Sequence, residues 1–396
     1  MPGFELFGDK ERKEVTDVLS TGVLMRYGFD GARHGHYKAL EFERTLCEIT
    51  GSAHSHLCSS GTAALSTAMA ACGIGAGDEI IVPPFTFVAT FEAILQAGAV
   101  PVFGEIDNTL CLNPDRLDAV MTPKTKAVVP VHMCGAMARI DEIDAFCDRN
   151  GLVLLEDACQ SLGATFQGKP LGTFGKAGCF SFDAVKTVTC GEGGAVITDD
   201  PAVYDICHQY ADHGHDHLGG PDRGADGHPV LGTNFRISEL NAAVGLAQLR
   251  KLGQILEIQR RHKQVLKNAM AALPGISFRL LPDPAGDSAT FLSFMLPTEE
   301  KTRQAATALA HNQVPCPYWY DNNWHYFRKW DHLKKMTSAA PLAAQLCPNL
   351  PDYSKVHLPE SDAVMKRTLS MQIMLSWTDQ EMDRRVAAIE TALKNI

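Results

Sequence analysis

The twelve cysteines of this chain include no Cys-x-x-Cys pair, which removes the usual spacings of a zinc knuckle or a dithiol redox motif. They read instead as reduced thiols, mostly buried as small apolar side chains. No apolar run approaches the roughly 18 residues of a membrane span. The opening Met1-Pro2-Gly3-Phe4-Glu5 also lacks the basic and apolar regions of a secretory signal. No membrane association and a cytoplasmic location are expected. Basic residues are in deficit too, with 36 Lys and Arg against 46 Asp and Glu for a formal net charge of -10. A nucleic-acid footprint needs clustered cations, so no nucleic-acid partner is expected, and an anionic substrate would need a local basic pocket. Internal repeats and low-complexity tracts are absent.

What is present suits a globular enzyme: 396 residues, 45% hydrophobic and 21% charged, a length that exceeds one ordinary core. Short apolar runs recur at Ile80-Ile81-Val82, Val100-Pro101-Val102-Phe103, Ala127-Val128-Val129-Pro130-Val131, Leu152-Val153-Leu154-Leu155 and Ala195-Val196-Ile197. Helical stretches such as Ile140 to Asn150 separate several of them. That alternation predicts an α/β domain with a mostly parallel sheet covered on both faces. Leu240, Val244 and Ala247 share a helical face after Ile237, and a charged helix is predicted over Leu252 to Leu273. A loop at Leu281 to Gly286, a strand at Phe291 to Leu296 and a closing helix at Gln380 to Leu393 complete the pattern. We expect an arm and large α/β domain over residues 1–250 and a smaller α/β domain over 251–396.

Three segments carry chemistry. Cys58-Ser59-Ser60-Gly61-Thr62-Ala63-Ala64-Leu65 sets hydroxyls and a glycine before an Ala-rich helical run, where free N–H groups and the helix dipole suit a phosphate. Taken singly it is also an ordinary N-cap. The strand Leu152 to Leu155 ends in Glu156-Asp157-Ala158-Cys159-Gln160, and a carboxylate at a strand's carboxyl end can face a cofactor and hold a ring nitrogen protonated. Such a residue is often only a turn residue. Finally, Ser181-Phe182-Asp183-Ala184-Val185-Lys186 leads into Gly191-Glu192-Gly193-Gly194. A lysine partly withdrawn from water there can attack an aldehyde, although a lone lysine is more often a surface residue.

In this order, with Pro83-Pro84-Phe85-Thr86-Phe87-Val88-Ala89-Thr90 between the first two and Asn234-Phe235-Arg236 and Gln248-Leu249 after the last, these motifs resemble the DegT/DnrJ/EryC1/StrS aminotransferase family. The resemblance implies a type I pyridoxal-phosphate fold, like that of aspartate aminotransferase, with a sheet of the seven-stranded kind, working as a homodimer with shared active sites. It implies pyridoxal 5′-phosphate as cofactor and Lys186 as the Schiff-base lysine. Asp157 would partner the pyridine nitrogen, Phe87 stack on the ring and Gln160 contact the hydroxyl side. Gly61, Thr62 and Ser181 would hold the phosphate, with Asn234 reaching it from the neighbouring subunit. A lysine at 186, where dehydratases of the family carry histidine, favours transamination.

Leu24 to Asp30, Asp212 to His217, Phe291 to Pro297 and Tyr318 to Tyr326 resemble more closely the branch that aminates the C8 aldehyde of a 3-deoxy-manno-octulosonate, with L-glutamate as donor, for lipopolysaccharide. Other branches act on nucleotide-linked keto sugars or make an aminated aromatic acid. Arginine suits planar recognition of a substrate carboxylate, so Arg26 or Arg33, helped by His213 or His215, is the expected substrate contact. The His213-Gly214-His215-Asp216-His217 run has no supporting metal-ligand spacing and is expected to be a polar substrate-side loop without metal.

Overall fold

The structure, a computed structural model, describes residues 3–220, 223–394 and 396; Met1 and Pro2 of the opening segment lie outside the described residues. The apolar runs become strands of a seven-stranded sheet, in spatial order His54–Cys58, Gly194–Thr198, Ala177–Ser181, Val153–Asp157, Thr125–Val128, Glu79–Val82 and Val100–Phe103. Only Gly194–Thr198 runs against the other six. Both faces are covered, which is why the runs are continuously apolar. Ile80, Val82, Leu155 and Val196 pack with the helices Gly61–Ala71 and Ala89–Gln96 on one face. Ile81, Val128 and Leu154 pack on the other with Ile143 and Phe146 of Ile140–Asn150.

A second sheet, Ser277–Phe278, Phe291–Met295 and Thr368–Gln372, is antiparallel. Its Leu292, Phe294, Leu369 and Met371 pack with Leu309 of Glu299–His311 and Ile389 of Asp379–Leu393. The helix Leu252–Ala271 joins the two units, with Ile255 in the core around Phe42 and Leu266 and Met270 in the second. The loop at 281–286 holds one short turn of 3-10 helix, Pro284–Gly286. Among the described residues six strands escape the apolar-run reading: His54–Cys58, Thr165–Phe166, Lys169–Pro170, Ala177–Ser181, Ser277–Phe278 and Thr368–Gln372. Part of the chain after residue 251 also returns to the large sheet, since Phe327, Trp330, Leu333, Tyr353 and Leu358 complete its core on the Gly61–Ala71 face. No helix among the described residues is long and apolar enough to cross a membrane.

Strand Val153–Asp157 carries the site, and the pleat turns its last two carboxylates to opposite faces. Glu156 is fully buried. It accepts from the N–H groups of Gly172 (2.8 Å), Phe174 (2.6 Å) and Gly175 (2.9 Å), and pairs with His132 Nε2 at 3.0 Å. His132 Nδ1 accepts from the Ala138 N–H at 3.2 Å, so the ring hydrogen sits on Nε2 and is donated to Glu156. Glu156→Gln leaves one acceptor oxygen and turns an NH2 toward N–H groups. It should cost about 3–5 kcal/mol, read as a lower urea midpoint at unchanged slope. A loss below about 1 kcal/mol would remove Glu156 from this role.

Candidate active site

Beyond the carboxyl ends of the central strands, where open α/β sheets place ligands, lies a cavity of about 690 Å³. Gly61, Thr62, Phe87, Asp157, Gln160, Ser181 and Lys186, drawn from four separate stretches of sequence, all line it. The helix Gly61–Ala71 opens onto it, capped by Ser60, whose side chain accepts from the Ala63 N–H at 3.0 Å. Glycine is required at 61, because a Cβ there would sit 2.7 Å from the Cβ of Ser181. The same closeness sets the Ser181 hydroxyl beside the helix terminus, and N–H groups, dipole and hydroxyls together suit a phosphate.

Asp157 is 3% exposed. Its Oδ2 accepts from Thr90 Oγ1 at 2.7 Å and its Oδ1 from the Cys159 N–H at 3.1 Å. Gln160 Oε1 accepts from the Cys134 N–H at 3.1 Å, which leaves its NH2 as the donor for the cavity. Lys186 is half-buried in the wall. Phe87 keeps 37% of its surface exposed, with Trp324 stacked on it at 5.8 Å between centroids and 4° between planes. A phosphate cradle, a buried carboxylate, an amine and an aromatic face in one cavity match the chemistry of pyridoxal phosphate: anion, ring nitrogen, aldehyde and ring.

The other expected residues lie outside this wall. Asn234 is exposed on a segment bridged to Asp212, its Oδ1 accepting from the Arg236 N–H at 3.2 Å. His213 is exposed, and His215 lies 3.3 Å from Asp226 and against the His228 ring. Arg26 donates to the Leu57 carbonyl (2.9 Å) and to Glu43 (2.6 Å). Arg33, fully buried, donates to the carbonyls of Gly28, Met25 and His36 and stands 3.6 Å from Glu239. Both guanidiniums are committed to partners within the chain, so neither is presented to a substrate carboxylate in this cavity. His217 stacks on His208 at 4.1 Å, and burial pushes His208 down to about 3. Among the described residues no group of three or more His, Cys, Asp or Glu could hold a metal ion.

Several lining residues carry no functional signal of their own in the sequence. Thr86 and Thr90 are buried behind Asp157, while Trp319, Trp324, His325 and Gln372 come from the later part of the chain. Asn322 Oδ1 accepts the Trp324 N–H at 2.9 Å and lies 2.9 Å from His325 Nδ1. The ring hydrogen therefore sits on Nδ1 and Nε2 is an acceptor. Burial, with Lys186 nearby, pushes His325 down to about 4 and keeps that ring uncharged near neutrality. The motif Pro83 to Thr90 signalled the two threonines, but only the folded chain shows which side chain they serve.

Comparison with known proteins agrees with this geometry. Residues 7–367 match the model of the DegT/DnrJ/EryC1/StrS aminotransferase family. Over 272 residues the chain is 39% identical to the L-glutamine:2-deoxy-scyllo-inosose aminotransferase of Streptomyces kanamyceticus, a stretch covering 67% of this chain and 62% of that enzyme. It is 35% identical over 266 residues to GDP-perosamine synthase of Vibrio cholerae, covering 67% and 69%. The crystal structure of an aminotransferase from Psychrobacter cryohalolentis superposes with a TM-score of 0.85 at 27% identity, over 98% of each chain. With its mixed, mostly parallel seven-stranded sheet and a cavity suited to pyridoxal phosphate, the chain belongs to the DegT/DnrJ/EryC1/StrS aminotransferase family.

Proposed function

We propose that this aminotransferase moves an amino group from L-glutamate to the C8 aldehyde of 8-oxo-3-deoxy-manno-octulosonate, a cytoplasmic step toward lipopolysaccharide, with Lys186 bonded to the coenzyme. The observation that carries the chemistry is the meeting of Lys186, Asp157, Gln160, Phe87, Ser181, Gly61 and Thr62 in one cavity. The octulosonate reading rests on the four segments that resemble that branch, two of which reach the cavity. Phe291, Trp319, Trp324 and His325 come from two of them and line the cavity. The other two meet each other, Tyr27 donating to Asp212 and packing edge-on against His217 at 5.0 Å.

Pyridoxal phosphate, when bound, supplies an electron sink for the substrate carbon. The chain supplies the rest. Gly61, Thr62 and Ser181 hold the phosphate, Asp157 keeps the ring nitrogen protonated, and Gln160 donates its NH2 to the hydroxyl side. Phe87 fixes the plane of the ring. Lys186 Nζ, the amine that would bond the coenzyme aldehyde, would also be the group placed to hold and move the proton at the substrate carbon. One lysine therefore serves both halves of the reaction. His325 Nε2 accepts from a sugar hydroxyl, and the aromatic faces of Trp319 and Trp324 exclude water.

Lys186 is the only Lys or Arg among the described residues that line the cavity. The anionic end of the sugar then needs groups from beyond this wall. In a homodimer the exposed His213 and Asn234 provide them, Asn234 reaching the phosphate of the opposite subunit and His213 the substrate carboxylate. A second reading, an aminotransferase for a nucleotide-linked keto sugar, is favoured by the identity to GDP-perosamine synthase and would share every coenzyme contact.

Mass spectrometry of products separates the two. With glutamate as donor, the octulosonate aldehyde should gain an amino group at C8 while nucleotide-linked keto sugars remain unchanged; the reverse outcome selects the second reading. The shared site has its own test. Lys186→Ala and Asn234→Asp chains, each inactive alone, should recover activity when mixed and allowed to exchange, because one site per heterodimer is then built from intact residues. No recovery after confirmed exchange would place Asn234 outside the neighbour's site.

A further inference from the structure

Two hydroxyls behind the cavity form a directed chain. Thr90 Oγ1 donates to Asp157 Oδ2 at 2.7 Å, and its own oxygen lies 2.6 Å from Thr86 Oγ1. With the Thr90 hydrogen already given to the carboxylate, Thr86 must be the donor in the second bond. Thr86 and Thr90 are 0% and 1% exposed, so water cannot replace either bond. The backbone of the same segment is stitched to the loop that carries Trp324 and His325. The Thr86 N–H donates to the His325 carbonyl (3.0 Å), the Val88 N–H to the Trp324 carbonyl (2.9 Å), and the Phe327 N–H to the Pro84 carbonyl (2.9 Å).

We propose that Thr86 and Thr90 are positioning residues whose hydroxyl relay aims the Asp157 carboxylate at the coenzyme and ties it to the Trp324–His325 loop. This rests on the reading that Asp157 partners the ring nitrogen. The position of the substrate loop is thus coupled, through the backbone bonds of the Thr86–Val88 segment, to the group that sets the ring's protonation.

The test uses purified protein titrated with pyridoxal phosphate. Two quantities are read: the dissociation constant by fluorescence, and the pH midpoint of the bound coenzyme's visible absorbance. Thr90→Val, of nearly the same shape but without the donor, should bind about ten-fold more weakly. Its midpoint should move to lower pH, because a carboxylate no longer held toward the ring stabilises the cationic form of the bound coenzyme less. Thr90→Ser should recover both values, and Thr86→Val should shift the midpoint in the same direction by less. Wild-type values in Thr90→Val would overturn the relay. If Thr90→Val does not fold, Thr86→Val decides, since it does not touch Asp157: a midpoint equal to wild type overturns the proposal. Asp157→Asn separates the two levels. Should it bind coenzyme with wild-type affinity and midpoint, the reading of Asp157 fails and the relay with it; should it alone be altered, only the relay fails.

Discussion

The buried Glu156 carboxylate gathers four hydrogens, three from backbone N–H groups of residues 172–175 and one from His132. It fixes the end of a central strand from which the next side chain, Asp157, projects into the cavity. Two carboxylates adjacent in sequence thus do different work because the pleat alternates them. One is saturated by the fold, and the other keeps a lone pair for a ligand. Around Asp157 the remaining groups arrive from neighbouring strand ends: the capped helix after Cys58, the Thr86–Thr90 segment after Val82, and Lys186 after Ser181. The active site is a consequence of parallel strands ending at one edge, with Glu156 holding that edge in register.

Much of this was legible in the sequence wherever a single segment carries its own signal. The strand end with Asp157, the capped turn at Ser60 and the helices Ile140–Asn150 and Asp379–Leu393 are local patterns, and they fold as the patterns indicate. Illegible features depend on partners distant in the chain. His54–Cys58 is a strand despite two histidines and a serine, because it pairs with Gly194–Thr198 and buries His56 beside Arg26, far below the usual histidine range. Arg26 and Arg33 sit in a Gly-rich stretch that reads as free, yet Glu43 and Glu239 claim them from other helices. Phe327 to Leu358 follow the second sheet's first strands in sequence but complete the core of the first.

The electrostatics of the cavity constrain the substrate. Apart from Lys186 no Lys or Arg among the described residues lines it, whereas Asp157, Asp183 and Glu192 do. An anionic sugar or a nucleotide-linked sugar meets more negative than positive side chains in this wall, and either reading calls for donors from beyond it. His213 and Asn234 are exposed on the element that Asp212 anchors through Tyr27 and Arg236, and it is on this element that the proposed shared site would draw.

The central claim is that Lys186 bonds the coenzyme, and borohydride reduction followed by peptide mapping tests it most directly. Reduction of the yellow holoenzyme should fix the pyridoxyl group irreversibly on the peptide containing Lys186 and on no other. A label on Lys169 or Lys176 instead, or a Lys186→Ala chain that still takes up the label, would contradict the account.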